Sequence, residues 1–313
     1  MSPSVSVVIP TIGRSELLKN LLDSLFKQSV LPQEVIIIDA GEDLALEGSD
    51  FLRTAPIRCV YKKSSIASLT HQKNMGIALA RGNWVGFLDD DIVLEEKAFE
   101  NMVLFLNKNS DRVGGASLNI INASRNYSWM YKIKYLCSLD SHEPGKVLQS
   151  GFASQLFPVS HDTKVQWLCG GATFWNRKVF DGVKFDENLK GYSFLEDLDF
   201  SYQIGKKYGL YVVASAKAKH VDHHDKSQSW YALGKMQALH RFYFASKHPE
   251  LSLWCCYFAV HIQMLINVVK KILGYNTSKK YFVFGNFISL VELNWRLITG
   301  KVVLSVGIMT QNE

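Results

Sequence analysis

The sequence has few cysteines, and their arrangement excludes the usual disulfide and zinc frameworks. Only five of the 313 residues are cysteine, and none forms a Cys-x-x-Cys pair. An odd number of unpaired cysteines fits free, buried thiols in a reducing compartment. The N-terminus lacks the charged segment and long apolar core of a signal peptide, so we expect that no signal peptide is present.

The chain also lacks the composition of a disordered protein and the charge of a nucleic-acid binder. Its residues are 47% hydrophobic and 20% charged, which is ordinary for a globular protein. The net charge of +6 is a mild basic excess that suits anionic partners such as nucleotides or a lipid surface. No nucleic-acid partner is expected from it. The length allows one large α/β domain, or one domain with an appendage.

The first hundred residues alternate between strand and helix patterns. Apolar runs predict strands at residues 5–9, 35–38, 57–61 and 84–88, and helical spacing predicts helices at 15–26, 68–81 and 94–106. This alternation predicts a parallel sheet with helices on both faces. Such sheets bind ligands at the carboxyl ends of their strands. Pro10-Thr11, Asp39 and the acidic triplet at residues 89–91 lie at such ends.

Three adjacent carboxylates follow the fourth predicted strand: Asp89, Asp90 and Asp91. Each close pair repels by about 1 kcal/mol or more near a protein surface. A bound Mg²⁺ or Mn²⁺, shared with substrate phosphates, would offset this repulsion. The alternative is an acidic loop that caps the following helix. The convergence of polar strand ends on one crevice favours the metal.

The middle of the chain is less regular. Residues 120–165 contain aromatic residues without periodicity and are interpreted as loop-rich insertions whose aromatics mainly pack. Residues 167–172 predict a strand that enters a turn at Gly170-Gly171, where the backbone can approach a ligand closely. Glu196, Asp197 and Asp199 fall in the first turn of a helix predicted to extend to about residue 208. They either complement the helix dipole or supply a carboxylate base, and spacing leaves both open.

Histidines follow the strand predicted at residues 212–214. His220, His223 and His224 form a surface loop, a metal ligand set, or both. His220 comes first after the strand and is the preferred ligand, with the other two as alternatives.

The last seventy residues change in character. Residues 251–272 and 281–298 are apolar stretches interrupted by polar residues, with Lys270-Lys271 between them. Apolar helices that carry Trp and flanking Lys are typical of the membrane interface. Packing on the catalytic domain, an oligomer interface and a true membrane span are the alternatives. We therefore expect a catalytic domain at residues 1–248 and a helical, membrane-associated segment at 249–313.

Taken together, the motifs resemble those of the family-2 glycosyltransferases, which are inverting enzymes with the GT-A fold. The resemblance covers about residues 4–245. Its motifs are Val7-Val-Ile-Pro-Thr11, Val35-Ile-Ile-Ile-Asp39, Gln72-Lys-Asn-Met-Gly76 with Ala80-Arg-Gly82, Phe87-Leu-Asp-Asp-Asp91, Gly170-Gly171, Glu196-Asp197 and His220. It implies a Rossmann-like nucleotide-binding mixed α/β sheet with helices on both faces, plus the C-terminal helical appendage.

The resemblance also implies roles for the residues at the strand ends. The Asp-x-Asp motif would bind Mg²⁺ or Mn²⁺ through Asp91 and Asp89, with His220 completing the shell. Asp39 would contact the nucleobase, with Pro10 and Thr11 lining its pocket. The remaining implied donor contacts are those of Asp90 beside the metal, of Lys73 with the diphosphate, and of Gly170 and Gly171 with the sugar or the acceptor.

For catalysis, the resemblance implies the Glu196-Asp197 pair, with Asp197 as the base that takes the proton of the acceptor hydroxyl. No Gln-x-x-Arg-Trp pattern is present, so transfer of one residue is expected rather than polymerisation. The expected donor is a UDP-, dTDP- or GDP-sugar of the hexose or deoxyhexose class.

The expected acceptor is a glycan or polyprenyl-linked glycan of cell-surface polysaccharide synthesis. The expected location is the cytoplasm, peripheral to the inner face of the membrane. The alternatives are a sugar-nucleotide nucleotidyltransferase or a non-catalytic scaffold that binds nucleotides or glycans. The first usually needs a Gly-rich loop after the first strand, whereas Thr11-Ile-Gly-Arg14 has a single glycine.

Overall fold

A computed structural model describes residues 3–41, 48–123, 129–190, 192–221, 230–274 and 280–300. His223 and His224, the alternative ligands, lie outside these residues.

The described strands form one mixed sheet. They are β1 (Val5–Thr11), β2 (Glu34–Asp39), β3 (Arg58–Lys63), β4 (Trp84–Leu88), β5 (Ile92–Leu94), β6 (Val113–Ile120), β7 (Thr163–Val165), β8 (Ala172–Asn176) and β9 (Gly209–His220). Their order is β3-β2-β1-β4-β8-β6-β9-β5, and β7 pairs with β9. The four strands β3, β2, β1 and β4 are parallel to one another, while β8 is antiparallel to both β4 and β6.

The helices are α1 (Ser15–Phe26), α2 (Asp50–Arg53), α3 (Leu69–Leu79), α4 (Ala98–Lys108), α5 (Trp129–Leu136), α6 (Glu196–Gly205), α7 (Trp230–Ser246), α8 (Leu253–Ile272) and α9 (Lys280–Ile298). A 3₁₀ helix covers Arg177–Asp181.

The centre of the sheet is buried on both faces. Every residue of β1, β2 and β4 is buried, as expected for apolar strands covered by helices on either side. The amphipathic helix α1 buries Leu18, Leu21, Leu22 and Leu25. This confirms the parallel first half predicted from the alternating pattern and the mixed α/β class of the whole sheet.

Three predicted elements differ from the structure. The helix predicted at residues 94–106 begins at Ala98, because Ile92 and Leu94 pair with β9 in the sheet. The strand predicted at residues 167–172 was placed on the wrong side of the turn. β8 begins at Ala172, after the glycine pair, where it pairs with β4. The region 120–165, predicted to be loops, contains α5 and β7.

The prediction for the thiols is half right. All five cysteines are unpaired, as predicted. Only Cys256 is buried, however, and Cys169 and Cys255 are exposed. Burial of the thiols was therefore a wrong expectation for these two residues.

The chain divides into two compact units. The first consists of Met1–Ser124, Leu156–Glu187 and Glu196–His223 and holds the whole sheet. The second consists of Arg125–Gln155, Asn188–Leu195 and His224–Glu313. The second unit therefore includes α5 and α7, which lie before the domain boundary predicted at residue 248, together with α8 and α9.

Within the second unit, α7 and α9 approach each other at two glycines. A Cβ atom added at Gly234 would lie 2.2 Å from the carbonyl oxygen of Phe282. A Cβ added at Gly285 would lie 2.2 Å from the carbonyl oxygen of Tyr231. The two backbones are too close for any larger residue, so the contact depends on glycine at both positions.

We predict that Gly234→Ala destabilises the protein by about 1–3 kcal/mol, because the added methyl group forces the two helices apart. The loss should appear in denaturant unfolding even though alanine favours a helix by about 1 kcal/mol over glycine. Gly182→Ala is the matched control, since nothing lies within 4 Å of its added Cβ. Equal stability of the two variants would contradict the prediction.

Candidate functional site

The predicted site residues of the sheet meet at one edge. Asp39 ends β2 and Asp89 follows β4, whose neighbour β1 ends at Thr11. Because β8 runs antiparallel to β4, the glycine pair before β8 lies beside the residues after β4. The backbone N–H of Asp89 donates to the carbonyl oxygen of Gly171 at 2.8 Å. The structure thus brings the glycine turn and the acidic triplet together, although the strand had been predicted on the other side of that turn.

Asp39 holds two turns and a neighbouring strand together. It is buried, and its Oδ1 accepts hydrogen bonds from the backbone N–H groups of Gly13 at 2.9 Å and Gly41 at 2.7 Å. Its Oδ2 accepts from the Tyr61 hydroxyl at 2.5 Å. A Cβ at Gly41 would lie 2.2 Å from the Gly13 nitrogen, so this close turn requires glycine. The nucleobase contact predicted for Asp39 stays a prediction.

Asp90 points into the protein. It is buried and accepts a hydrogen bond from the Thr11 hydroxyl at 2.5 Å, and Arg14 Nη2 lies 2.8 Å from its Oδ1. Burial raises the pKa of the Asp90 carboxyl to about 6, although Arg14 and Thr11 act in the opposite direction. Asp90 therefore ties the end of β1, where Pro10 is also buried, to the acidic triplet.

Asp91 lies beside His220. Its Oδ1 is 3.4 Å from His220 Nε2, because β5 pairs with the end of β9. Asn122 bonds the backbone of His220 on both sides, accepting from its N–H at 3.1 Å and donating to its carbonyl oxygen at 2.7 Å. The imidazole is half exposed. The pairing of the third Asp with His220, predicted as metal ligands, is thus present in the geometry.

The side chains of the described residues do not form a complete metal cage. Among the described residues, no group of three or more His, Cys, Asp or Glu side chains is arranged to hold a metal ion. Mg²⁺ is commonly held by one or two carboxylates together with substrate phosphates. The Asp91 and His220 side chains fit an incomplete site of that kind.

Lys73 and Glu196 form a buried ion pair between α3 and α6. Lys73 Nζ lies 2.6 Å from Glu196 Oε1 and 3.4 Å from the carbonyl oxygen of Gly170. The rings of Phe87 and Phe185 lie 5.6 Å and 5.2 Å from the ammonium. Only about 1% of the Lys73 side chain and 5% of the Glu196 side chain are exposed. The contact predicted between Lys73 and a diphosphate stays a prediction.

In this buried pair, the charge of Lys73 and the charge of Glu196 stabilise each other, while burial disfavours both charged forms. Burial alone would lower the pKa of the Lys73 ammonium, yet the charges of Glu196 and Asp89 raise it overall. Burial raises the pKa of the Glu196 carboxyl to about 7, against the opposing effect of Lys73. Above about pH 7 the ion pair is the resting state, and the charge of Glu196 then sustains the charge of Lys73.

Asp197 lies next to this pair. Its Oδ2 accepts from the Gly170 N–H at 3.1 Å and its Oδ1 from the Leu198 N–H at 2.7 Å. Burial raises the pKa of the Asp197 carboxyl. A Cβ at Gly170 would lie 2.7 Å from both Glu196 Oε1 and Lys73 Nζ. A raised pKa makes the Asp197 carboxylate a better proton acceptor. Glycine at position 170 leaves the room that Asp197 and the Lys73–Glu196 pair occupy beside it.

Three residues of the site had no assigned role in the sequence analysis: Arg14, Tyr61 and Gln72. Gln72 Nε2 donates to the carbonyl oxygens of Thr11 at 2.8 Å and Ile38 at 2.7 Å, joining the ends of β1 and β2. The sequence gives little indication that these residues belong to the site, since each is a common polar residue near a strand end or on a helix. The strand order brings Arg14 and Tyr61 to the carboxylates of Asp90 and Asp39, and it brings Gln72 to the ends of β1 and β2.

A family model and relatives of known description match the chain. The model described as "Glycosyl transferase family 2" matches residues 6–181. The uncharacterized glycosyltransferase EpsJ of Bacillus subtilis is 25% identical over 206 residues, covering 64% of this chain and 56% of EpsJ. The minor teichoic acid biosynthesis protein GgaB of Bacillus subtilis is 22% identical over 213 residues, covering 66% of this chain and 22% of GgaB. The chain thus spans little more than half the length of EpsJ and a smaller part of GgaB.

Two solved structures resemble the fold over most of the chain. TarS 1–349 of S. aureus has a TM-score of 0.51 and 14% identity, covering 93% of this chain and 91% of that one. The mannosyltransferase PcManGT from Pyrobaculum calidifontis, in complex with GDP-Man and Mn²⁺, has a TM-score of 0.57 and 15% identity, covering 93% and 88%. At such identities the likeness concerns the fold, and it confirms the predicted GT-A class.

We predict that Lys73→Met destabilises the protein by about 3–5 kcal/mol at about pH 8, because it leaves the buried Glu196 carboxyl without its cation. Burial already raises the pKa of Glu196 from its ordinary value of 4.5 to about 7 in the original protein, and the variant also loses the opposing effect of Lys73. The folded variant therefore keeps a proton that the unfolded chain loses as pH rises, so its stability falls with rising pH. Denaturant unfolding at about pH 5 and pH 8 measures this difference relative to the original protein.

The double variant Lys73→Met/Glu196→Gln is the control for this prediction. It removes both charges, so it should recover most of the loss and show no extra pH dependence. The same loss for the single variant at both pH values would contradict the assignment of the buried charge.

Proposed function

Because the chain belongs to glycosyl transferase family 2, we propose that it transfers one sugar from a nucleoside-diphosphate donor to an acceptor hydroxyl. The observation that carries this proposal is the position of Asp197, beside Gly170 and next to the buried Lys73–Glu196 pair. The acidic triplet lies across the same glycine turn. A proton acceptor and a site for a charged leaving group therefore share one edge of the sheet.

The proposed donor is a UDP-, dTDP- or GDP-sugar of the hexose or deoxyhexose class. Support comes from the related folds, because TarS 1–349 was solved with UDP-GlcNAc and the mannosyltransferase with GDP-Man. Pro10, Thr11 and Asp39 would shape the base pocket. Asp39 would do so by fixing the turns at Gly13 and Gly41, to which it is hydrogen-bonded.

The proposed reaction is a single displacement that inverts the anomeric carbon. The acceptor oxygen forms the new bond to this carbon as the bond to the diphosphate oxygen breaks, and the bonding electrons leave with the diphosphate. Asp197 takes the proton of the acceptor hydroxyl. Glu196 and Lys73 act as positioning residues. Lys73 binds Glu196 and approaches the carbonyl oxygen of Gly170. The backbone N–H of the same glycine donates to Asp197.

The residues also fit a divalent cation, for which Mg²⁺ or Mn²⁺ is proposed. Asp91 and His220 would hold it, with Asp89 as a further oxygen ligand beside Gly171. Carboxylate and imidazole donors suit Mn²⁺, and carboxylates with phosphate oxygens suit Mg²⁺. When bound, the ion would neutralise charge on the leaving diphosphate.

The proposed acceptor is a glycan or a polyprenyl-linked glycan of cell-surface polysaccharide synthesis. The name of GgaB, a teichoic acid biosynthesis protein, supports this class of pathway. The proposed location is cytoplasmic and peripheral to the inner face of the membrane. Among the described helices α8 alone has the length and composition of a membrane span, with 22% of its apolar window buried.

We predict that Asp197→Asn retains the affinity for the donor but loses about 10²–10⁴-fold in transfer rate, because the proton acceptor is removed. Release of nucleoside diphosphate from a panel of UDP-, GDP- and dTDP-sugars measures the rate, and calorimetry measures donor binding. Asp111→Asn, at an exposed residue in the turn after α4, is the control and should be unchanged. Normal turnover by Asp197→Asn would refute its role as base, and release of pyrophosphate would indicate a nucleotidyltransferase.

We predict that Asp91→Asn and His220→Gln each weaken Mn²⁺ binding at least tenfold in the presence of UDP, since even outer-shell partners of metals contribute about 10–100-fold. Paramagnetic resonance of unbound Mn²⁺ measures this without turnover, and Asp111→Asn again serves as control. Full transfer activity in excess chelator would contradict the metal proposal while leaving the proposed base untouched.

A further inference from the structure

The helices α8 and α9 expose large apolar side chains. On α8 these include Trp254 at 75%, Phe258 at 59% and Leu265 at 62% exposure. On α9 they include Phe284 at 55%, Phe287 at 50% and Trp295 at 64% exposure. Large apolar side chains exposed in this number on two neighbouring helices are expected at a contact with another apolar phase.

The polar side chains of the same helices are bonded to one another inside the second unit. Gln263 donates to Asn267 at 2.9 Å, Asn267 donates to Asn286 at 2.7 Å, and Asn286 donates to the carbonyl oxygen of Gly234 at 2.7 Å. On the next turns, the Tyr257 hydroxyl donates to Asn294 at 2.7 Å. This polarity is the reverse of a water-facing helix pair, because the hydrogen-bonding groups are inside and the apolar rings are outside.

A cleft between α7, α8 and α9 contains a buried cation. Its lining includes Phe152, Arg241, Gln263, Asn286 and Leu290. The Arg241 guanidinium lies 3.9 Å from the centre of the Phe152 ring, and its Nη1 donates to the carbonyl oxygen of Gly151 at 2.7 Å. A cation and two amides next to apolar walls suit an amphiphile with an anionic head.

Two lysines add to the positive charge around Arg241. Lys134 of α5 is half buried, and burial together with the charges of Lys270 and Arg241 lowers the pKa of its ammonium, against the effect of Asp140. Lys134 of α5 is therefore close enough to Lys270 of α8 and to Arg241 of α7 to be repelled by both. Cations gathered in this way favour an anion of high charge density, and phosphate is the common anion of that kind.

We propose that the second unit binds a phosphate-bearing lipid, with the phosphate held by Arg241, Lys134 and Lys270 and the hydrocarbon lying along the outer faces of α8 and α9. Charge and apolar surface occur together on the same helices, as a lipid with an anionic head requires. This binding does not depend on the proposed sugar transfer, so it is measurable without a donor.

The test is sedimentation of the full chain with vesicles of phosphatidylcholine, with and without added phosphatidic acid. We expect clearly tighter binding with phosphatidic acid. Lys134→Gln and Lys270→Gln should each weaken that binding about fivefold, the effect of one basic residue at an anionic surface. They should leave binding to phosphatidylcholine alone unchanged, and Lys134→Arg should restore the preference.

Lys132→Gln is the matched control, since Lys132 is exposed on the same helix two residues from Lys134 and faces another direction. Its effect should be less than twofold if a site binds the phosphate. An equal loss in Lys132→Gln would indicate diffuse attraction and overturn the site. Binding that is the same with and without phosphatidic acid, or no binding to vesicles, would also overturn it.

Inorganic pyrophosphate separates a lipid from a soluble anion as the occupant. If pyrophosphate binds the second unit through Lys134 in the absence of vesicles and the chain still ignores vesicles, the lipid proposal is wrong. Competition by pyrophosphate for vesicle binding, lost in Lys134→Gln, would support the phosphate site. Trp295→Ala should weaken binding to both kinds of vesicle, because it removes apolar contact area. Failure of sugar transfer alone leaves every one of these results unchanged.

Discussion

The burial of negative charge at one edge of the sheet is the constraint on which the rest of the site depends. Isolated buried carboxylates are unstable unless they are paired or hydrogen-bonded. Asp39 uses two backbone N–H groups and a phenol, Asp90 uses Arg14 and Thr11, and Glu196 uses Lys73. Each solution joins two or more strands, loops or helices around the sheet, so the electrostatic requirement also fixes their relative positions.

The same constraint separates the acidic residues that stabilise the fold from those that are proposed to contact ligands. Those paired with a cation of the protein, such as Asp90 with Arg14 and Glu196 with Lys73, are held inside and stabilise the frame. Asp91 instead meets a half-exposed imidazole, and Asp197 is held by backbone N–H groups beside a glycine. These are the carboxylates proposed to meet ligands. A cluster that looks uniform in sequence is thus unequal in structure, and the difference arises from which strand or helix faces each side chain.

The sequence predicted much of this arrangement, because buried strands leave long apolar runs and their ends are marked by polar residues. Thr11, Asp39 and Asp89 were therefore placed correctly at strand ends. The partners Arg14, Tyr61 and Gln72 were not, since their roles depend on strand order and on which way a helix faces. The antiparallel β8 was missed for a similar reason, because a short apolar run does not reveal its direction or its neighbour.

The polar residues of α8 and α9 give a related lesson. Along the sequence, His261, Gln263 and Asn267 appeared as interruptions of an apolar stretch. In the structure, Gln263 and Asn267 bond side chain to side chain, and His261 lies 3.2 Å from Asn294 of α9. Composition counts such residues against a membrane contact, but only geometry tells whether they face outward or toward a neighbouring helix.

The glycine contact between α7 and α9 has a mechanical consequence. With the two backbones touching at Gly234 and Gly285, α9 has no room to roll about its own axis. Asn286 is then locked toward α7, and the aromatic rings of α9 keep a fixed azimuth. The exposed apolar side chains of the helical unit therefore keep a fixed arrangement, because the helices cannot rotate independently. Any surface that binds them has to fit all of these side chains together.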